Sequence, residues 1–247
     1  MGADSAAVVD FSRFTRWHVI ADIECLVDTV SVRIYRAARQ AIALRGEFRI
    51  VLAGGGTPAA VYRALADTDA DWSRWHVYFG DERCLPPTDP ERNSVMAADN
   101  WLARVAMPQE NIHAIPAERG AEPAARAYAE LIDAARPFDI VLLGMGEDGH
   151  TASLFPGHRH DNARRSVLAV RDAPKPPADR VSLSAAALSD AASVLVLVTG
   201  AGKHDAVQRW KQGEDLPITH VHGRDGMDVY LDLPASTGMQ EMQGRLD

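Results

Sequence analysis

Between residues 22 and 45, apolar side chains fall at Ile23, Val27, Val30, Ile34, Ala38, Ala41 and Leu44. Steps of three and four place them on one face of a helix. Asp22 suits the N-cap of that helix, and Gly46 suits its stop. Beyond it the pattern changes to short apolar runs bounded by turn residues, at 49–53, 76–79, 139–143, 167–170, 194–199 and 229–231. These runs are continuous rather than alternating, which predicts strands buried on both faces. Helical stretches are expected between them at 58–66, 93–105, 122–135 and 202–211. Strand and helix alternate, so the predicted class is α/β: a Rossmann-like, mostly parallel sheet with helices on both faces. Neither an internal repeat nor a Gly/Ser linker divides the chain, and one domain over residues 1–247 is expected. The stretch 172–179, with Pro174, Pro176 and Pro177, reads as a rigid loop, and the polar tail after Pro234 as loose.

Composition narrows the field of function. The 247 residues carry 26 Lys and Arg against 34 Asp and Glu, a formal net charge of −8. No basic block is present, so binding through a nucleic-acid backbone is not expected. A small anionic ligand remains compatible with this balance if a local cluster of cations holds it. Two cysteines, Cys25 and Cys84, build no disulfide framework. No apolar run approaches the roughly 20 residues that a membrane helix needs. The first residues lack the pattern of a signal peptide. A soluble, cytoplasmic, monomeric protein is expected. Only Lys175, Lys203 and Lys211 are lysines.

Ligands of open α/β sheets bind beyond the carboxyl ends of the strands, so the residues after each run matter most. Gly54-Gly55-Gly56-Thr57-Pro58 follows the first run and leads into a helix. Such a turn offers free N–H groups and a partial positive charge, which suit a phosphate. Thr57 fits the N-cap position and Pro58 the first helical position. Gly80-Asp81-Glu82-Arg83 follows the second run; three consecutive charges there are costly to bury unless paired. Gly144-Met145-Gly146-Glu147-Asp148-Gly149-His150 follows the third. The spacing matches a dinucleotide fingerprint, yet Pro156-Gly157 breaks the chain seven residues after Gly149. His150 reads better as a general base at the end of a glycine turn. Gly200-Ala201-Gly202-Lys203 places a lysine just past the 194–199 run, where it can neutralise a phosphate. His158, His160 and Asp161, and likewise His220 and His222, lack a zinc-ligand spacing, and no metal site is expected.

Taken in order, the loop 54–58, the stretch Phe79–Pro86, the run 139–143 leading into GMGEDGHTASLFPG, and VTGAGK at 198–203 resemble the 6-phosphogluconolactonase family. The resemblance spans about residues 15–232 and is most specific over Gly144–Gly157. The related glucosamine-6-phosphate deaminases share the Gly-His turn but continue with Phe-Asn-Glu-Pro, where this chain has Thr151-Ala152-Ser153-Leu154-Phe155-Pro156. Ala53 and Gly56 stand where the family commonly has serines, and Arg92 stands where it often has Ser before the Asn. The approach Pro174–Pro177 to Arg180 and Val181-Ser182-Leu183 resembles the family's Pro-rich entry into a strand.

The resemblance implies hydrolysis of 6-phospho-D-glucono-1,5-lactone, with His150 activating water and no metal, nucleotide or covalent intermediate. It implies oxyanion stabilisation by backbone N–H groups of a glycine turn or by Arg83. Asp81, Glu82 and Asp148 are all open as the carboxylate that orients His150. The phosphate is expected on the N–H groups of Gly55, Gly56 and Thr57, with Lys203 and either Arg83 or Arg180 as counter-charges. The family's Asn role carries over to Asn93. Alternatives are a glucosamine-6-phosphate deaminase or isomerase using Asp81 as base, a sugar-phosphate-sensing module, and an NAD-linked dehydrogenase.

Overall fold

The computed structural model describes residues 15–158 and 165–238. The chain opens with strand β1 (Thr15–Ile20) and helix α1 (Ile23–Arg45), then β2 (Phe48–Leu52), α2 (Gly56–Ala66), β3 (Trp75–Phe79) and β4 (Asp81–Arg83). It continues through α3 (Asn93–Ala97), β5 (Ile112–His113), α4 (Ala121–Ala135), β6 (Phe138–Gly144), β7 (Val167–Val170) and β8 (Arg180–Leu183). The last elements are α5 (Ala185–Ser189), β9 (Ala191–Val198), α6 (His204–Lys211), β10 (Met227–Asp232) and α7 (Leu233–Thr237).

Seven strands form a parallel sheet in the order β1-β10-β9-β6-β2-β3-β5. From β2 the chain moves outward to β3 and β5; from β6 it moves the other way, to β9 and β10. Right-handed crossovers therefore put α1 and α2 on one face and α4 and α6 on the other. The order reverses between β2 and β6, and this switch point is where such sheets bind ligands. β4, β8 and β7 form a separate antiparallel sheet that sets Asp81 opposite Ser182 and Arg83 opposite Arg180. One apolar core cluster takes in residues of both sheets and of the helices around them.

The expected helix 22–45 begins at an Asp22 cap, whose carboxylate accepts from Cys25 N–H at 2.7 Å, and ends at Gly46 with φ 85°. Its buried stripe is Leu26, Val30, Ile34, Ala38 and Ala41, while the outlying Ile23 and Leu44 face solvent. Thr57 is not an N-cap: α2 starts at Gly56, two residues earlier than expected, capped by Gly55 at φ 109°, and the Thr57 hydroxyl is 2.6 Å from that of Thr199. The expected helix 93–105 is α-helical only to Ala97 and then widens into a π turn over Ala98–Leu102. There the Asn100 side-chain amide donates to Met96 C=O at 2.7 Å, so that carbonyl is taken by a side chain. The expected helix at 202–211 begins as a 3₁₀ turn, Ala201–Lys203, before α6. The run 167–170 is a strand, but of the small sheet. The tail is ordered further than expected: Asp232 caps α7 by accepting from Ala235 N–H at 2.8 Å. His160 and Asp161 lie outside the described residues.

Candidate active site

A cleft of about 210 Å³ opens at the switch point, over the carboxyl ends of β2, β3 and β6. Its walls include Gly54, Gly55, Asp81, Arg83, Asn93, His150, Arg180 and Lys203. Of the site residues expected from the sequence, Gly56, Thr57, Glu82 and Asp148 are outside that wall; Gly56 and Thr57 follow Gly55 as the first two residues of α2.

The turn after β6 presents His150. Gly146 N–H donates to His150 C=O at 2.8 Å, and Thr151 Oγ1 donates to Gly144 C=O at 2.9 Å. Gly149 turns the chain at φ 84°. The His150 ring packs against Phe155, with centroids 4.9 Å apart. Its Nδ1 lies 2.5 Å from Asp148 Oδ1, so of the three candidate carboxylates Asp148 is the one in contact with the ring. With Nδ1–H donated to Asp148, the lone pair of a neutral imidazole sits on Nε2. Burial holds His150 below its ordinary pKa; Asp148 pulls upward, while Lys175 and Lys203 add to the lowering. Burial also pushes Asp148 up, but the His150 hydrogen bond and charge bring it net below its usual range. At neutral pH the pair is thus a carboxylate and a neutral imidazole.

Asp81 and Glu82 have other work. Glu82 is fully buried and accepts from the N–H groups of Asn93 at 2.8 Å and Ser94 at 2.9 Å, with Arg92 Nε 3.5 Å away. It closes the N-terminus of α3. Asp81, also buried, accepts from Ser153 Oγ at 2.6 Å and Asn93 Nδ2 at 3.0 Å, and burial raises its pKa. A Cβ added to Gly54 would come within 2.1 Å of Asn93 Oδ1, so only glycine fits there. Ser153, Asp81, Asn93 and Gly54 thus run in contact from the histidine turn to the glycine loop. Ser153 escaped sequence reasoning, because a serine in a loop carries no signal until its acceptor is known.

Among the described residues, three cations reach the cleft. Arg83 donates from Nη1 to Glu91 C=O at 2.7 Å. Arg180 is buried, donates to the carbonyls of Lys175, Pro176 and Pro177, and lies 5.6 Å from the centre of the Phe155 ring. Lys203 stands at the end of the 3₁₀ turn whose Gly200 N–H is held by the Asp232 carboxylate at 2.9 Å. Burial lowers the Lys203 pKa, with Glu147 opposing. Among the described residues no group of three or more His, Cys, Asp or Glu is arranged to hold a metal ion. No described helix is long and apolar enough to cross a membrane.

The family profile described as glucosamine-6-phosphate isomerases/6-phosphogluconolactonase matches residues 21–230. The chain belongs to this family. Among its relatives, the 6-phosphogluconolactonase of Mycobacterium tuberculosis is 36% identical over 239 residues, 88% of this chain and 96% of that protein. The chloroplastic 6-phosphogluconolactonase 3 of Arabidopsis thaliana is 34% identical over 213 residues, 78% of this chain and 66% of the plant protein. The solved 6-phosphogluconolactonase of Thermotoga maritima superposes with a TM-score of 0.81 at 28% identity, covering 88% of this chain and 99% of that one. A monomeric glucosamine-6-phosphate deaminase shares the fold, with a TM-score of 0.79 at 19% identity over 91% of this chain and 100% of that one. Both branches named in the family description therefore share this fold.

Proposed function

We propose that the chain hydrolyses 6-phospho-D-glucono-1,5-lactone to 6-phosphogluconate in the pentose phosphate pathway, with His150 as general base and then general acid. The observation that carries the mechanism is the Nδ1 contact to Asp148, which leaves Nε2 for a cleft that three cations also reach. Water attacks the lactone carbonyl carbon while His150 Nε2 takes its proton. The carbonyl oxygen becomes an oxyanion, which Arg83 or N–H groups of a glycine turn stabilise. Collapse breaks the bond from the carbonyl carbon to the ring oxygen, and His150 returns its proton to that oxygen. The product acid then ionises to a carboxylate. The phosphate rests at the N-terminus of α2, near Gly55, Gly56 and Thr57, with Lys203 as counter-charge. Arg180 and Asn93 shape the wall, and Asp81 sets the spacing of the two loops. The protein works as a cytoplasmic monomer; its cysteines are free thiols, which suits a reducing compartment.

The test is hydrolysis of freshly made 6-phosphogluconolactone by purified protein, with unphosphorylated gluconolactone and buffer alone in parallel. Acceleration over buffer, strongest for the phosphorylated lactone, is the expected result. A second reading rests on Asp81, a buried carboxyl on the cleft wall whose raised pKa suits proton abstraction at C2 of an amino-sugar phosphate. Turnover of glucosamine 6-phosphate with no effect on the lactone would select it.

A further inference from the structure

The residues directly after His150 form a tight turn. Thr151 N–H donates to Leu154 C=O at 3.3 Å, and Leu154 N–H returns to Thr151 C=O at 2.9 Å. Gly149 N–H donates to Gly146 C=O at 3.0 Å, His150 N–H to Asp148 Oδ1 at 3.3 Å and Ser153 N–H to Ser182 Oγ at 3.2 Å. Across residues 149–154, only Ala152 N–H has no acceptor among the described residues. Ala152 lies on the cleft wall, half-buried between Thr151 and Ser153, which are both buried.

The direction of that N–H is set by its own peptide. Leu154 N–H holds Thr151 C=O inside the turn, and the Thr151–Ala152 bond is trans. In a trans peptide the N–H points opposite to the C=O, so Ala152 N–H is directed out of the turn. Ala152 adopts φ 47°, a left-handed conformation that glycine takes more readily. Its neighbours hold it there: Thr151 Oγ1 donates to Gly144 C=O at 2.9 Å, and Ser153 Oγ to Asp81 Oδ2 at 2.6 Å. Backbone strain of this kind persists where the surroundings over-determine it, and it gathers at functional sites.

We propose that Ala152 N–H is a catalytic hydrogen-bond donor to the oxyanion formed from the lactone carbonyl. This rests on the lactonase reading and adds one named donor outside the glycine positions. The bond from water oxygen to carbonyl carbon forms, the second electron pair of the C=O bond moves onto its oxygen, and His150 Nε2 holds the water proton. Ala152 N–H donates to that oxygen and keeps its own proton. One braced turn carries base and donor two residues apart, so both address the same carbonyl. A donor fixed before the charge develops needs no reorganisation when it does.

The experiment replaces the amide by an ester in the full-length protein, as Ala152→lactic acid, which deletes the N–H and keeps the methyl group. Loss of one such donor is expected to lower kcat by about 10²–10³-fold with KM nearly unchanged. The loss should be equal for phosphorylated and unphosphorylated lactone, because the contact is at the reacting end. The acid limb of the kcat/KM profile should stay in place, since no charge near His150 changes. The ester also weakens Thr151 C=O as an acceptor. Leu154→leucic acid isolates that effect by deleting the donor of the same bond while keeping Ala152 N–H, and it should lose far less. Ala152→Gly keeps the N–H and reaches the same φ, and its kcat should remain close to the parent value. Parent-like kcat in the Ala152 ester overturns the proposal, as does an equal loss in the Leu154 ester or in Ala152→Gly, or a shifted acid limb. If the parent itself fails to accelerate lactone hydrolysis over buffer, the lactonase reading falls and this donor role falls with it.

Discussion

The hydrogen bond between His150 and Asp148 fixes one imidazole tautomer and opposes the effect of burial on its charge. Two consequences can be measured. Because burial holds the His150 pKa below its ordinary value, the neutral, basic form persists below about pH 6.5. The kcat/KM profile should fall only as pH drops through that lowered value. Asp148→Asn removes the charge that favours the imidazolium, so the acid limb should move to still lower pH. The same variant should lose about 10²-fold in kcat. A limb that stays where it was would mean that Asp148 does not govern His150. Gly146 is the second lever. A Cβ there would meet His150 Nδ1 at 2.0 Å and Asp148 Oδ1 at 2.5 Å. Gly146→Ala must push the pair apart, and kcat should fall by 10²-fold or more. Its melting temperature should change far less, since the displaced groups border an open cleft. Parent-like kcat in this variant would show that the dyad geometry is dispensable.

At the scale of elements, β4 and α3 are held by charges rather than by an apolar run. Glu82 is buried and accepts two N–H groups of α3, while Arg92, only 3% exposed, spans Glu82, Glu118 and the carbonyls of Leu85 and Ile115. Removing one partner of such a buried pair leaves the other uncompensated and costs about 3–5 kcal/mol. Glu82→Ala should lose about that much in denaturant unfolding, with Glu82→Gln losing less because it keeps an acceptor. A cost below about 1 kcal/mol for the alanine variant would contradict this account. The same elements show what sequence could reveal. β2, β3, β6 and β9 are buried on both faces, so their apolar runs announced them. β4 reads Asp-Glu-Arg and β5 spans two residues; pairing partners make them strands, and a single-chain pattern carries no trace of partners. β1 lies at the sheet edge, half exposed, and its Thr-Arg-Trp-His-Val-Ile shows no continuous run. The π turn at Ala98–Leu102 depends on where the Asn100 side chain bonds, which periodicity cannot report.

For the whole molecule, the strand order brings separate loops to one cleft. The glycine turns after β2 and β6 were legible as turns because backbone conformation demands glycine at defined points. Their convergence was not, since it depends on β6 lying beside β2, about ninety residues away in sequence. That Asp148, rather than Asp81 or Glu82, contacts the His150 ring was equally hidden, because all three are acids at strand ends. The finished molecule is an acidic surface, formally −8, around a cleft that Arg83, Arg180 and Lys203 reach. These two fields oppose each other for an anionic substrate. At long range the net charge repels it, and within the cleft the cations attract it. Salt screens both, with a Debye length near 10 Å at 0.1 M. If the cleft dominates, KM for the phosphorylated lactone should rise several-fold between about 0.02 and 0.5 M salt, with kcat nearly constant. The unphosphorylated lactone should show no such trend, because it has no charge for either field to act on. A KM that falls with salt would mean that repulsion by the acidic surface limits capture, and that the cationic residues act only after the substrate is already bound.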